Sequence, residues 1–245
     1  MTNIDKDTIY SQYREKVADF VFDEKVVSVF DDMIRRSVPG YATVIAMSKV
    51  FAEHYAQENS NCYDLGCSLG ATTLAMRKGI SKKNCRIIAV DNSPAMIERC
   101  RQIIDSDVSD VPVDVVLEDI AKLKMQNASI VAMNFTLQFF APDKRADLLG
   151  RIYNSMMPNG AMLLSEKIKF GADDEQDFQT DMYHHFKQLN GYTGLEVSQK
   201  RKALENVLVP DTIEQHFNRL KDAGFDKCYL WFRCFNFVSI AAFKK

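Results

Sequence analysis

The run Gly66-Cys67-Ser68-Leu69-Gly70 follows the apolar stretch Cys62-Tyr63-Asp64-Leu65 and precedes Ala71-Thr72-Thr73-Leu74-Ala75-Met76. That order predicts a buried strand, a glycine-rich turn and a helix. A ligand can lie against bare backbone in such a turn, close to a helix N-terminus. About twenty residues past Gly70, Arg86-Ile87-Ile88-Ala89-Val90 predicts a second strand, ended by Asp91 and Asn92. An acid there is placed to accept hydrogen bonds from ribose hydroxyls. Asp119-Ile120 follow a third predicted strand, offering an acid for an adenine amino group and an apolar partner for its ring. Asn134 ends a fourth.

Dinucleotide sites share this outline but seat a pyrophosphate on G-x-G-x-x-G. Here Gly66-x-Ser68-x-Gly70 is followed at once by Ala71, and Asp64 lies just before the loop. A carboxylate there repels a pyrophosphate and attracts an ammonium. S-adenosylmethionine carries an ammonium and no phosphate. The turn therefore resembles motif I of class I methyltransferases, D-x-G-x-G-x-G, with Ser68 in place of the middle glycine.

The elements that must position these residues are readable from periodicity. Glu24 to Arg36 and Tyr41 to Tyr55 read as helices, separated by Pro39-Gly40. Strands then alternate with helices: strand one ends at Leu65, strand two at Val90, then come Val113–Leu117, Ser129–Asn134 and Ala161–Glu166. Ser93-Pro94 starts the helix after strand two, and a helix covers Lys144 to Met156. Such alternation predicts a mostly parallel sheet covered on both faces. Asp173 to Leu204 reads as a polar helical insertion, followed by a helix from Thr212 to Ala223 and a closing antiparallel pair within 230–243. The expected fold is a Rossmann-like α/β class I methyltransferase fold with a seven-stranded sheet. As one domain of 245 residues it divides into an N-terminal helical cap (1–58), a cofactor-binding core (59–168), a helical insertion (169–210) and a C-terminal helix with strands (211–245).

Composition narrows the function. With 47% hydrophobic residues there is ample material for one core, and a net charge of −2 gives no global pull toward nucleic acid or anionic membrane. The polar opening Met1-Thr2-Asn3-Ile4-Asp5-Lys6-Asp7 lacks the apolar core of a signal peptide, and no apolar run is long enough to span a bilayer. A soluble cytoplasmic protein is expected. None of the six cysteines forms a C-x-x-C pair, and His184 and His185 point to different sides of a helix. Buried reduced thiols and no metal site are expected.

Several segments beyond the generic core carry a more specific resemblance: Ser37-Val38-Pro39-Gly40-Tyr41, Asn134-Phe135-Thr136-Leu137-Gln138-Phe139, and Ser198-Gln199-Lys200-Arg201 with Leu204-Glu205-Asn206-Val207. Together with Asp64–Ala71 and Asp91–Met96 they resemble the carboxy-S-adenosylmethionine synthase family over nearly the whole chain. The resemblance implies conversion of S-adenosylmethionine and prephenate to carboxy-S-adenosylmethionine and phenylpyruvate. A separate tRNA carboxymethyltransferase then uses the product at wobble 5-hydroxyuridine, so this chain need not bind nucleic acid itself. The family's binding residues carry over to Tyr41, Gly66, Cys67, Ser68, Asp91, Asn92, Asp119, Ile120, Asn134 and Arg201, and the family implies a homodimer. From composition alone Lys200-Arg201-Lys202 reads as a solvated helix face. With the resemblance, Arg201 becomes the catalytic-site cation for the new carboxylate, because a guanidinium forms two parallel bonds to it. No His, Lys or carboxylate stands out as a base, which suggests that prephenate supplies the proton acceptor. The rival readings are an ordinary S-adenosylmethionine methyltransferase and a non-catalytic adenosyl-binding adaptor. Phe20, Phe22 and the aromatic stretch Tyr183–Leu195 are apolar extras, expected to meet a partner or to cover a site.

Overall fold

A computed structural model describes residues 5–245; of the N-terminal stretch read above, residues 1–4 lie outside the described residues. Seven strands form one sheet: β1 (Asn61–Leu65), β2 (Arg86–Asp91), β3 (Val113–Leu117), β4 (Ala128–Asn134), β5 (Met156–Lys167), β6 (Lys227–Cys234) and β7 (Phe237–Phe243). Their order is β3-β2-β1-β4-β5-β7-β6. The first five are parallel, while β7 runs antiparallel to both β5 and β6. The chain reverses its winding between β1 and β4, so a crevice opens beyond their C-terminal ends. Register keeps the strand tips level there, with Leu65 opposite Val90 and Asp91 opposite Leu117.

The short parallel strands are mostly apolar because both faces are covered, with polar residues concentrated at their ends. Tyr63, Leu65, Val131 and Met133 face one core cluster with Leu148, Leu149 and Leu220. Cys62, Ile130 and Ala132, the alternate residues, face the other with Ala52 and Met76. The first cluster is closed by α5 (Arg145–Ser155) and α8 (Ile213–Asp222), the second by α2 (Tyr41–Tyr55) and α3 (Ala71–Gly79). Helix α4 (Pro94–Asp105) buries Ile97, Cys100 and Ile104 beside Cys67 and Ala89. All six cysteines are free, and Cys62, Cys67, Cys85 and Cys100 are buried.

Three elements differ from the periodicity reading. β5 begins at Met156 and runs through Pro158-Asn159-Gly160, where Asn159 at φ 61 makes the irregularity that sequence reading takes for a turn. The insertion is two helices, α6 (Asp173–Leu189) and α7 (Gly194–Leu204), because Gly191 at φ +86 stops the first and a Thr193–Glu196 capping box starts the second. The closing hairpin is longer than expected and turns at Phe235-Asn236, with Phe235 at φ 52.

The N-terminal segment folds back over the crevice. α1 (Glu24–Ser37) packs Phe30 and Met33 against Met96 of α4, and Phe20 N–H donates to Ala203 O of α7 at 2.9 Å. Ser93 joins this cover to the sheet: its hydroxyl accepts from Met96 N–H as the N-cap of α4 and donates to Phe22 O at 2.7 Å. Ser93→Ala should therefore cost about 1 kcal/mol or more of stability, the usual loss of an N-cap. Urea unfolding checks this, and a loss of only a few tenths would mean that the cap carries nothing.

Candidate active site

Beyond the strand tips lies a cavity of about 480 Å³. That is within the usual size of a small-molecule site. Its floor is the turn after β1. Gly66 (φ 84), Ser68 (φ 50) and Gly70 (φ 83) all take left-handed backbone conformations, so the chain reverses within five residues. A Cβ on Gly66 would stand 2.2 Å from Thr136 Oγ1, which reserves that position for glycine. Ser68 pays a modest strain there.

Asp91 fixes the turn. Ser68 N–H donates to its Oδ2 at 3.0 Å and Ser93 N–H donates to its Oδ1 at 2.9 Å. Burial raises its pKa, and the backbone donors oppose that rise. Each carboxylate oxygen keeps a second lone pair for a ligand hydroxyl. Asp119 Oδ1 accepts from Ala121 N–H, and its other oxygen has no partner among the described residues. Ile120 is buried beside it.

Asn134 is held from two sides. Its amide donates to Thr72 Oγ1 at 3.1 Å and its carbonyl oxygen accepts from the Ser165 hydroxyl at 2.6 Å. The next loop is held by Glu166, whose carboxylate accepts from the backbone N–H groups of Thr136, Leu137 and Gln138. Burial outweighs those donors and pushes its pKa up to about 8.

Of the expected residues, Tyr41, Gly66, Cys67, Ser68, Asp91, Asn92, Asp119, Ile120 and Asn134 all line the cavity. Asp64 and Arg201 do not. Asp64 lies just beneath the floor, 1% exposed, accepting from the Thr73 hydroxyl at 2.6 Å. Burial raises its pKa to about 7. Arg201 is exposed on α7, where its charge adds to the effect of burial in lowering the Lys167 pKa and, with Lys187, the His184 pKa. Phe20 and Phe22 line the cavity with Phe30 and Phe139, with Phe22 edge-on to Phe139 at 5.5 Å. Those two aromatics cover their own site.

The sequence reading missed Lys167, Tyr183 and Lys200, which line the cavity end formed by β5, α6 and α7. Lys167 could have been found from its place at the end of a strand; in the sequence Tyr183 reads only as one of the apolar extras, and Lys200 only as part of a solvated helix face beside Arg201. Among the described residues no group of three or more His, Cys, Asp and Glu is placed to hold a metal ion. No described helix is long and apolar enough to cross a membrane.

A methyltransferase domain model matches residues 63–160. Carboxy-S-adenosyl-L-methionine synthase of Shewanella sediminis is 52% identical over 242 residues, 99% of this chain and all of that protein. This chain belongs to the carboxy-S-adenosyl-L-methionine synthase family. A synthase of the same name from Yersinia pestis is also 52% identical, over 98% of this chain and 90% of that one. Solved structures bear out the class I methyltransferase fold. Human N-acetylserotonin methyltransferase superposes with a TM-score of 0.59 at 18% identity, covering 90% of this chain and 55% of that chain. A SAM-dependent methyltransferase from Aquifex aeolicus gives 0.58 at 14% identity, covering 92% and 100%. The synthase family thus sets this cavity on a widely shared scaffold.

The Asp64 carboxyl yields a pH test. Its folded pKa of about 7 lies above its ordinary value, so the folded chain holds a proton there that the unfolded chain has lost. That contribution to stability is complete below about pH 4 and is lost as pH rises through 7. The urea midpoint of the ligand-free wild type should fall relative to that of Asp64→Asn between those limits. Parallel pH profiles for the two proteins would refute the buried, protonated carboxyl.

Proposed function

We propose that this chain makes carboxy-S-adenosylmethionine from S-adenosylmethionine and prephenate, releasing phenylpyruvate. The observation that carries this reading is the 52% identity to a named synthase over 99% of the chain, with nine of the expected contact residues on one cavity. In this reading the adenosyl ligand lies across the β1–β4 crevice. Asp91 accepts from its ribose hydroxyls, Asp119 from the adenine amino group, and Ile120 packs on the ring. Asn92 and Asn134 offer further polar contacts, and Tyr41 closes the site above Phe135. Asp64 sits beneath the amino-acid end, where a ligand ammonium would favour its charged form.

The reaction balances without an external base. Prephenate loses its ring carboxylate as carbon dioxide, and its hydroxyl leaves as the ring becomes aromatic. The departing hydroxide takes a proton from the sulfonium methyl, forming water. The methyl carbanion then attacks carbon dioxide, forming one new C–C bond. The chain's part is to exclude bulk water, which the Phe20, Phe22, Phe30 and Phe139 cover supports. The product would serve a separate enzyme as carboxymethyl donor for the tRNA wobble uridine, and the synthase itself would act in the cytoplasm as a homodimer. Light scattering at micromolar concentration should give twice the chain mass; a monomer would refute the dimer.

Phenylpyruvate should form from prephenate only when S-adenosylmethionine is present, with carboxy-S-adenosylmethionine appearing in equal amount by mass spectrometry. A methylated product in its place would support an ordinary methyltransferase. Arg201 is proposed to recognise the new carboxylate. Arg201→Ala should lose about 1.5–3 kcal/mol of affinity for carboxy-S-adenosylmethionine and far less for S-adenosylmethionine, which lacks that group. Equal losses in calorimetry would remove the role.

A further inference from the structure

The cavity has two chemically distinct ends. One is the carboxylate and backbone site at the tips of β1 and β2. The other, between β5, α1, α6 and α7, is cationic. Lys167 and Lys200 both line it. Lys187 stands behind them, 4.9 Å from the centre of the Tyr183 ring, and Lys167 lies at the same distance from that ring. Lys187 and Lys200 are only 4% and 5% exposed, while Lys167 is half-buried and opens on the cavity.

The charges at this end do not balance. Lys200 Nζ donates to Ser37 Oγ at 3.0 Å and lies 3.7 Å from Asp7. Arg36 pairs with Asp32 at 2.8 Å. Among the described residues no carboxylate pairs with Lys167 or Lys187, and Arg201 adds further positive charge near Lys167. Burial lowers the Lys167 and Lys200 pKa values to about 8, reinforced at Lys167 by Arg201 and opposed at Lys200 by Asp7, so Lys167 is the buried cation whose cost no carboxylate among the described residues offsets. Both nevertheless remain mostly protonated at neutral pH. An unbalanced ammonium facing a ligand cavity is the arrangement that an anionic ligand would complete.

We propose that Lys167 and Lys200, with Lys187 behind them, form the subsite for the side-chain carboxylate of the second substrate, an α-keto acid arm. This rests on the prephenate reading above. Prephenate has two carboxylates, and only the ring carboxylate departs. An ammonium clamped on that one would stabilise it against loss of carbon dioxide. Cations that bind the retained carboxylate instead anchor the molecule without opposing the reaction. The departing group is then left facing the apolar stretch between the two ends.

Lys167→Met is the decisive variant, because no internal ion pair is lost with it. Prephenate titrated into protein saturated with S-adenosylhomocysteine reads binding without turnover. The variant should weaken prephenate and phenylpyruvate alike by about ten- to a hundredfold, the range for a charged hydrogen bond. S-adenosylhomocysteine affinity should change less than twofold, and the melting temperature should hold or rise. Lys167→Arg should recover part of the binding. Unchanged prephenate affinity, or a fall in melting temperature with an equal loss of prephenate and S-adenosylhomocysteine, would overturn the subsite. Weakened prephenate with unchanged phenylpyruvate would also overturn it, since the lysine would then hold the departing carboxylate. Wild-type protein that binds prephenate through Lys167 but yields no phenylpyruvate would refute the proposed reaction and leave the subsite standing. Wild-type protein that fails to bind prephenate would refute both.

Discussion

Asp91 ties the turn after β1 to the start of α4. One carboxylate accepts from Ser68 in the turn after β1 and from Ser93 at the start of α4. The turn it stabilises is strained, with a serine in the left-handed region between two glycines that are also there. Two charge-assisted hydrogen bonds, each worth roughly 1.5–3 kcal/mol, are enough to offset the modest cost of Ser68. The floor of the cavity follows from that bond pair. So does the position of α4, and through the Ser93 hydroxyl the position of Phe22 and the apolar cover.

The floor and the cover work on opposite principles. The floor is backbone and carboxylate, with geometry set by hydrogen bonds to strand ends. The cover is aromatic, with Phe20, Phe22, Phe30 and Phe139 meeting at edge-on or tilted angles. Directional bonds suit the end that must recognise a nucleoside. A non-directional apolar cover suits the middle, where charge changes during reaction and water would compete for any carbanion formed. The N-terminal segment can supply such a cover because it is anchored largely through its own backbone, Phe20 N–H to Ala203 O, Phe22 O to the Ser93 hydroxyl and the Tyr10 and Gln12 carbonyls to Gln199, which leaves the Phe20 and Phe22 side chains to the cavity.

Residues that act through local geometry were legible in the sequence. The glycine-rich turn, Asp91, Asp119 and Asn134 each sit at a strand tip, and strand tips can be counted from periodicity. The alternating core gave the class I fold for the same reason. Elements governed by single backbone conformations were not legible in detail: Asn159 inside β5 and Phe235 in the closing turn are non-glycine residues at positive φ. The cationic end was hidden by a different fact. In Ser198-Gln199-Lys200-Arg201-Lys202, composition suggests a solvated face, yet Gln199 and Lys200 are buried and Arg201 and Lys202 are exposed. α7 has no apolar stripe to reveal its inward side. Gln199 faces inward to bond the Tyr10 and Gln12 carbonyls, a contact across nearly two hundred residues that no local pattern encodes.

The end of β5 shows how little sequence separates scaffold from site. Ser165, Glu166 and Lys167 are consecutive, and strand geometry sends alternate side chains to opposite faces. Ser165 bonds Asn134 on one face, and Glu166 gathers three N–H groups of the following loop on the other. Lys167 returns to the first face and opens on the cavity, its backbone N–H held by Gln138 Oε1 at 3.1 Å. Glu166 is buried beneath that same loop, so its three donors and the Lys167 anchor fix one another. A substitution at Glu166 would thus disturb the cationic end through the backbone rather than through charge, whereas Lys167 can be changed without disturbing Glu166. The acid belongs to the frame and the neighbouring cation to the ligand, and only the alternation of the strand assigns them.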